Sequence, residues 1–256
     1  HLLIPLGVVL YALLSKYTPL AAAFWGVISV FAVSFLRPHT RMSIGDLLKT
    51  MEEGARSALG VALACAMVGF IVGTSSLTGL GFVISNNIIE LAHGRLFFTL
   101  LLGMVACLVL GMGLPTTANY IVTSTIIAPA LIKMHILPLA AHMFVFYFGI
   151  MADLTPPVCL AAFTGAGIAG ANPTQTGFQA TRIALVAYLL PFTFIYSPAI
   201  LLEDPNLPYL ALLIVSAVVG VVGISGAFQG WLFCRLGLLV RGLLLASGVA
   251  AFFPQA

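Results

Sequence analysis

Apolar residues run through this chain in long stretches, and the polar ones gather in the gaps between them. The stretches without a charged residue are 17–36, 57–89, 96–132, 134–152, 154–181, 183–202 and 205–234. A strand of a membrane barrel would show about ten residues of alternating polarity. These runs are continuously apolar, and a helix needs about 20 such residues to cross the hydrocarbon core. The pattern therefore predicts membrane-spanning helices. Residues 2–14 form a first short span, ended by Ser15-Lys16-Tyr17, and 18–36 a second, opened by Pro19 and stopped by Arg37-Pro38. From Ser43 onward Ile44, Leu47, Leu48 and Met51 share one helical face, with Asp46, Lys49, Glu52 and Glu53 on the other. Residues 37–56 thus read as an amphipathic segment lying along the membrane surface. A third span follows from Ser57 to Thr74.

Further on the pattern is interrupted. Gly79, Gly81, Asn86, Asn87, Glu90, His93 and Gly94 make 77–95 polar, and it reads as an interfacial connector. Residues 96–133 are uncharged up to Lys133, but Gly111-Met112-Gly113-Leu114-Pro115-Thr116-Thr117-Ala118-Asn119 at their centre will not hold a helix. Each half reaches only roughly 22 Å at 1.5 Å per residue, short of a core roughly 30 Å thick. A re-entrant hairpin fits this: in, a break near mid-membrane, and out on the same side. A second interruption, Asp153-Leu154-Thr155-Pro156-Pro157, splits the apolar stretch 138–171. Its prolines remove two amide donors and push Thr155 away from helical angles. Non-helical backbone at membrane depth is tolerated where protein or a wet cavity covers it, so the two breaks are expected to face each other. Asn172 to Gln179 reads as a polar loop, 182–202 as a span, Glu203-Asp204-Pro205-Asn206 as an acidic loop, and 207–233 and 236–253 as two more spans. Gly220, Gly223, Gly226 and Gly230 form a small-residue seam in the first of these.

Composition narrows the function. The chain has 256 residues, 61% apolar and 7% charged, against roughly 25% charged in a soluble domain. The low charge excludes a soluble enzyme, and the ten basic residues, at helix ends rather than in a patch, give no support to a nucleic-acid binder. They act as topology markers. With 37–56 cytoplasmic, Arg37, Arg41, Lys49, Arg56, Arg182, Arg235 and Arg241 lie inside, whereas Lys16, Arg95 and Lys133 lie outside. The hairpin then enters from the outer face. Cys65, Cys107, Cys159 and Cys234 show no ligand spacing and read as small buried hydrophobes. His135 and His142 read as interfacial histidines.

No protease, hydrolase or nucleotide-binding motif occurs. Asp153 is the one ionisable residue well inside an apolar run. Such a carboxylate faces a cavity, a partner or an ion, or caps the half-helix that begins after Thr155. Broken helices offer free carbonyls at one half-helix end and free amides at the other, which suits small cations and anionic substrate groups. The donors match a hard cation such as Na⁺: carbonyls freed by Gly111, Gly113 and Pro115, hydroxyls of Thr116, Thr117 and Thr155, and the Asn119 amide. A passive channel built on the re-entrant loop, and an integral membrane enzyme using Asp153 as acid or base, are the rival readings.

Gly111–Tyr120, Asp153–Val158 and Phe163-Thr164-Gly165-Ala166-Gly167-Ile168-Ala169-Gly170 resemble the large permease subunit of tripartite ATP-independent periplasmic (TRAP) transporters, in the fused form often paired with a TAXI-type binding protein. The resemblance covers about residues 1–202. It implies the second inverted repeat of an all-α, elevator-type secondary transporter of the inner membrane, with no cofactor and Na⁺ as coupling ion. Its partners would be a TAXI-type periplasmic binding protein, a small membrane subunit and a small organic anion. Carried onto this chain, 1–36 would be two scaffold helices and 37–56 an arm helix. Residues 57–202 would be the transport repeat, with hairpin 96–133, broken helix 138–171 and helix 182–202, and 207–256 would be extra C-terminal helices. Ion and substrate would bind around Gly111, Gly113, Pro115, Thr116, Thr117, Asn119, Asp153, Thr155, Pro156 and Pro157, with Na⁺ held through Thr116, Thr117, Asn119 and Thr155. The family's first hairpin, with its Gly-Ser-Ser tip, has no counterpart here, which implies the C-terminal part of a larger permease whose N-terminal portion completes the site.

Overall fold

The computed structural model of the chain describes residues 3–36, 38–203, 207–232 and 234–252. Arg37 of the Arg37-Pro38 stop and Asp204-Pro205-Asn206 of the acidic loop lie outside the described residues. Every regular element among those described is helical, as the unbroken apolar runs require. Three stretches, Ile44–Thr78, Pro173–Tyr196 and Leu207–Gln229, are long and apolar enough to cross a membrane. The chain is an all-α, multi-pass membrane protein.

Residues 1–60 and 61–256 form two compact units. In the first, α1 (Ile4–Leu14) and α2 (Pro19–Ser34) pair as a hairpin. Thr18 starts α2 by accepting from the Ala21 amide at 3.3 Å, with Pro19 at the first helical position. Gly26 allows the close pairing, since a Cβ there would lie 2.5 Å from Val9 Cγ2. Ser43 and Asp46 make a reciprocal cap: the Asp46 amide donates to Ser43 Oγ at 3.1 Å, and the Ser43 amide to the Asp46 carboxylate at 3.0 Å. This opens α3 (Ile44–Thr78), which runs without a break from the amphipathic segment through the apolar one. The surface segment ending at Arg56 and the span beginning at Ser57 are thus one helix rather than two elements. No proline separates them, and Arg56 pairs with Glu52 one turn back at 2.9 Å.

In the second unit, α3 ends at Thr78 and the chain turns through Gly79, in the left-handed region at φ +67°, into α4 (Leu80–Leu91). The interfacial connector expected over 77–95 is therefore mostly a helix, and it is packed. Then come α5 (Leu96–Leu110), α6 (Thr116–Ile126) and α7 (Ala128–Lys133). A Cβ on Gly103 would lie 3.4 Å from Ile127, and one on Gly111 2.6 Å from Asn119. Both pairs are placed symmetrically about Pro115, the register of two antiparallel helices joined at 111–115. Next, α8 (Pro138–Met151) is the centre of the core, with Ala141, Phe144, Val145 and Phe148 fully buried. Phe144 and Phe148 stack edge-on at 4.8 Å, and Phe192 closes the cluster at 5.6 and 5.9 Å.

After the break come α9 (Leu160–Ala169), α10 (Pro173–Ala184) and α11 (Leu190–Tyr196), the last two joined by a 3₁₀ turn at Leu185–Leu189. The polar loop expected from Asn172 to Gln179 is the first turns of α10. Asn172 accepts from the Gln175 amide at 3.1 Å, and Pro173 occupies the first helical position. The chain closes with α12 (Leu207–Gln229) and α13 (Leu238–Phe252), which pair through glycine: a Cβ on Gly220 would meet Phe252 at 2.8 Å, and one on Gly248 would meet Ile224 at 2.6 Å. The small-residue seam is thus only partly one face. Gly226 packs on Leu232, and Gly230 lies past the helix end at φ +74°. Cys107 and Cys159 are buried, but Cys65 is half-buried and Cys234 exposed, between α12 and α13, where Trp231 and Arg235 pair in an antiparallel bridge.

Candidate functional site

The hairpin tip is built by residues that cannot continue a helix. Gly111 ends α5, Gly113 takes φ +75°, and Pro115, extended at ψ +147°, starts α6. Thr116 and Thr117 are the first two residues of α6. Both are exposed, and the amides of this first turn have no carbonyl four residues back. Asn119, one turn in, is fully buried and donates through Nδ2 to Gly149 O at 2.6 Å and to Gly111 O at 3.4 Å. It ties both arms of the hairpin to α8.

The second interruption lies against this tip. α8 gives way to a 3₁₀ turn at Ala152–Leu154, Thr155 is extended at φ −100°, ψ +128°, and helix resumes at Leu160. A Cβ on Gly111 would lie 2.9 Å from Ala152 Cβ, and one on Gly113 3.9 Å from Val158. Tip and break meet. Gly111, Gly113 and Asn119 therefore come together with 149–158.

Other expected donors are placed differently. The Thr155 hydroxyl donates to Met151 O at 2.6 Å and accepts from the Tyr188 hydroxyl. Thr181 of α10 steadies the break from the same side, donating to Leu154 O at 2.9 Å. The carbonyls expected to stand free at the tip and at the end of α8 are partly taken. Gly149 O serves Asn119, Met151 O serves Thr155, and Gly111 O accepts from Asn119 and from the Leu114 amide. Asp153 does not cap the following half-helix. That helix starts at Leu160, seven residues further on, with no side chain bonded to its first amides. The two prolines and Cys159 instead border an apolar pocket of about 220 Å³ with Phe163 and Phe178.

Three buried side-chain oxygens or hydroxyls among the described residues lack a hydrogen-bond partner: Asn119 Oδ1, Asp153 Oδ1 and Tyr209 OH. Two of the three belong to this junction. An unpaired buried acceptor costs about 1–3 kcal/mol, so acceptors orphaned here suit a cation. No cluster of three His, Cys, Asp or Glu exists among the described residues, and the donors on hand are hydroxyl, amide, carbonyl and carboxylate oxygens. That is the chemistry of a hard cation. His142 takes no part, because its Nδ1 is 2.9 Å from the Tyr120 hydroxyl.

A third interruption escaped the sequence reading. Where α3 meets α4 at Gly79, Ser75, Ser76, Gly81 and Thr125 border a cavity of about 170 Å³. Gly81 lies against the Thr125 carbonyl, 3.3 Å from where its Cβ would be, and Ser85 donates to Ile126 O at 3.1 Å. Lys133 donates to Asn86 at 2.8 Å and sits 5.0 Å over the Phe82 ring. Thus α4 packs along the second arm of the hairpin. Gly79 and Gly81 were the available signal, but the polarity around them reads equally well as a surface loop.

The family profile of the tripartite ATP-independent periplasmic transporter, DctM component, matches residues 1–205. The chain belongs to the DctM family. It is a permease component of a TRAP transporter, multi-pass in the inner membrane, and a permease of this kind works with a periplasmic binding protein and a small membrane subunit. It is not an enzyme, which removes the acid–base reading of Asp153. The match includes both the hairpin and the broken helix and stops before α12. No curated protein and no solved structure matches the chain.

Proposed function

We propose that the chain forms half of the translocation site of a Na⁺-coupled symporter, which takes a small organic acid from a TAXI-type binding protein and carries it inward by an elevator movement. The single observation behind this reading is the meeting of tip and break, where Gly111 abuts Ala152 and two buried oxygens stand unpaired. In a membrane the hairpin 96–133 would re-enter from the outer face, putting this junction at depth, where only protein or a wet cavity can cover irregular backbone. Na⁺ would be held by Thr116, Thr117 and Asn119, with the Asp153 carboxylate and nearby carbonyls. Thr155, fixed by Tyr188 and Met151, would add its hydroxyl from the break. The free amides that open α6 suit a substrate carboxylate. Gly113, Pro115, Pro156 and Pro157 hold the backbone open at this place.

The test is Na⁺-dependent uptake by the assembled permease in proteoliposomes. Thr116→Val and Thr117→Val change exposed side chains and leave packing intact, so a raised Na⁺ half-saturation with normal protein levels is expected. Asp153→Asn should reduce Na⁺ affinity most. Unaltered Na⁺ dependence in all three removes the ion site from this junction. Labelled substrate should also exchange at a saturable rate in counterflow, which a passive pore would not show.

A further inference from the structure

At the C-terminal end of α12, two arginines from different helices converge. Arg182 of α10 donates to Phe228 O at 2.9 Å, while Arg241 of α13 donates to Ala227 O at 2.6 Å and to Phe228 O at 3.3 Å. A helix C-terminus presents only about half a negative charge, so one cation already overcompensates it. Among the described residues, neither guanidinium has a carboxylate within ion-pair distance. This corner therefore carries positive charge with no counter-charge among the described residues.

Two hollows adjoin there. A pocket of about 400 Å³ is bordered by Gln179, Arg182, Ser225, Phe228 and Gln229. A groove of about 520 Å³, almost wholly apolar, runs along Leu185, Leu189, Ile224, Phe228, Leu245 and Val249. Phe228 belongs to both, and the walls alternate along the same helices, with Ser225 beside Ile224 and Val186 beside Leu185. A cationic pocket and an apolar groove thus lie side by side and share Phe228 as a wall. Trp231, 58% exposed at the same end, is the residue type that marks headgroup level.

We propose that this corner is a binding site for one anionic phospholipid, its phosphate against Arg182 and its acyl chain along the groove. Charge commits the occupant. A zwitterionic lipid brings its own cation to a site already in excess of positive charge, and a soluble anion leaves the groove unused. Basic pockets between helices are where acidic headgroups are recognised. The distribution of basic residues puts Arg182 and Arg241 in the cytoplasmic leaflet. The site is shared: Arg182 and Leu185 lie within the 205 residues matched by the family, and the walls supplied by α12 and α13 lie beyond them.

Native mass spectrometry of the purified full chain, incubated with phosphatidylglycerol, phosphatidylcholine or inorganic phosphate, tests this. Phosphatidylglycerol should be retained roughly fivefold or more over phosphatidylcholine, the worth of one basic residue near an acidic headgroup. Gln229→Glu places a negative charge in the pocket without touching either arginine, and should abolish that preference, as should Arg182→Gln. Val249→Trp, which fills the groove, should lower retention of both lipids. Equal retention of the two lipids by the unaltered chain overturns the proposal. So does a preference that survives both Arg182→Gln and Gln229→Glu, or full displacement of phosphatidylglycerol by an equal concentration of phosphate.

Discussion

Gly149→Ala tests the joint between hairpin and break most directly. A Cβ on Gly149 would lie 2.9 Å from Asn119 Oδ1, 3.2 Å from its Cγ and 3.3 Å from its Nδ2. All three nearest neighbours belong to one buried side chain, and that side chain is pinned by its bond to Gly149 O. Forcing a methyl into such a site costs about 1–3 kcal/mol, and displacing the amide forfeits a bond worth about 1 kcal/mol. The helix gains about 1 kcal/mol from replacing glycine by alanine. The net expectation is a loss of about 1–3 kcal/mol. In an Asn119→Ala background the three obstructing atoms are gone, and Gly149→Ala should be neutral or stabilising by up to about 1 kcal/mol. The coupling between the two sites is thus about 1–4 kcal/mol. Thermal unfolding in detergent can follow the buried thiols of Cys107 and Cys159 with a thiol-reactive fluorophore. A chain of this size shifts its midpoint by roughly 2–4 °C per kcal/mol. Additivity of the two substitutions within about 0.5 kcal/mol would refute the contact between Asn119 and α8.

Other expectations follow from single contacts. Cysteines introduced at 95 and 133 in a cysteine-free permease should label from the same side of the membrane, since α5 and α6–α7 run antiparallel; labelling from opposite sides excludes re-entry. Tyr188→Phe removes the partner of the Thr155 hydroxyl, so Thr155→Val added to it should alter Na⁺ half-saturation less than Thr155→Val alone, measured by uptake. Asn172→Ala deletes the cap of α10 and should cost about 1 kcal/mol of thermal stability. Gly248→Val should separate α12 from α13 and lower the unfolding midpoint by several degrees, whereas Gly69→Ala, with open space around it, should leave it unchanged or raised.

The features legible in the sequence were those written in local chemistry. Gly111, Gly113 and Pro115 interrupt a helix wherever it is placed, and so do Thr155, Pro156 and Pro157. Their meeting was legible too, as irregular backbone needs cover. What could not be read were bonds spanning long separations, such as Asn119 to Gly149 or Thr155 to Tyr188, because either hydroxyl or amide could have turned elsewhere. Asn172-Pro173 was readable as a helix start, but the polar run behind it resembled a loop. The continuity of α3 was hidden by a change of polarity at Ser57 that leaves the backbone unaffected. Asp153 showed its position but not its partners, and a cap was a fair guess until helix proved to resume only at Leu160.

The clasp between α4 and the hairpin makes the hairpin's two arms unequal. Sliding the second arm by one residue would strand the Ser85 hydroxyl in the interior and pull Lys133 off Asn86. Among the described residues the first arm, α5, has no such polar fastening except at Gly111, where the Asn119 bond is long at 3.4 Å. The second arm is thus held by side-chain hydrogen bonds to α4 and α8, and the first by apolar packing in which Leu100 and Cys107 are fully buried.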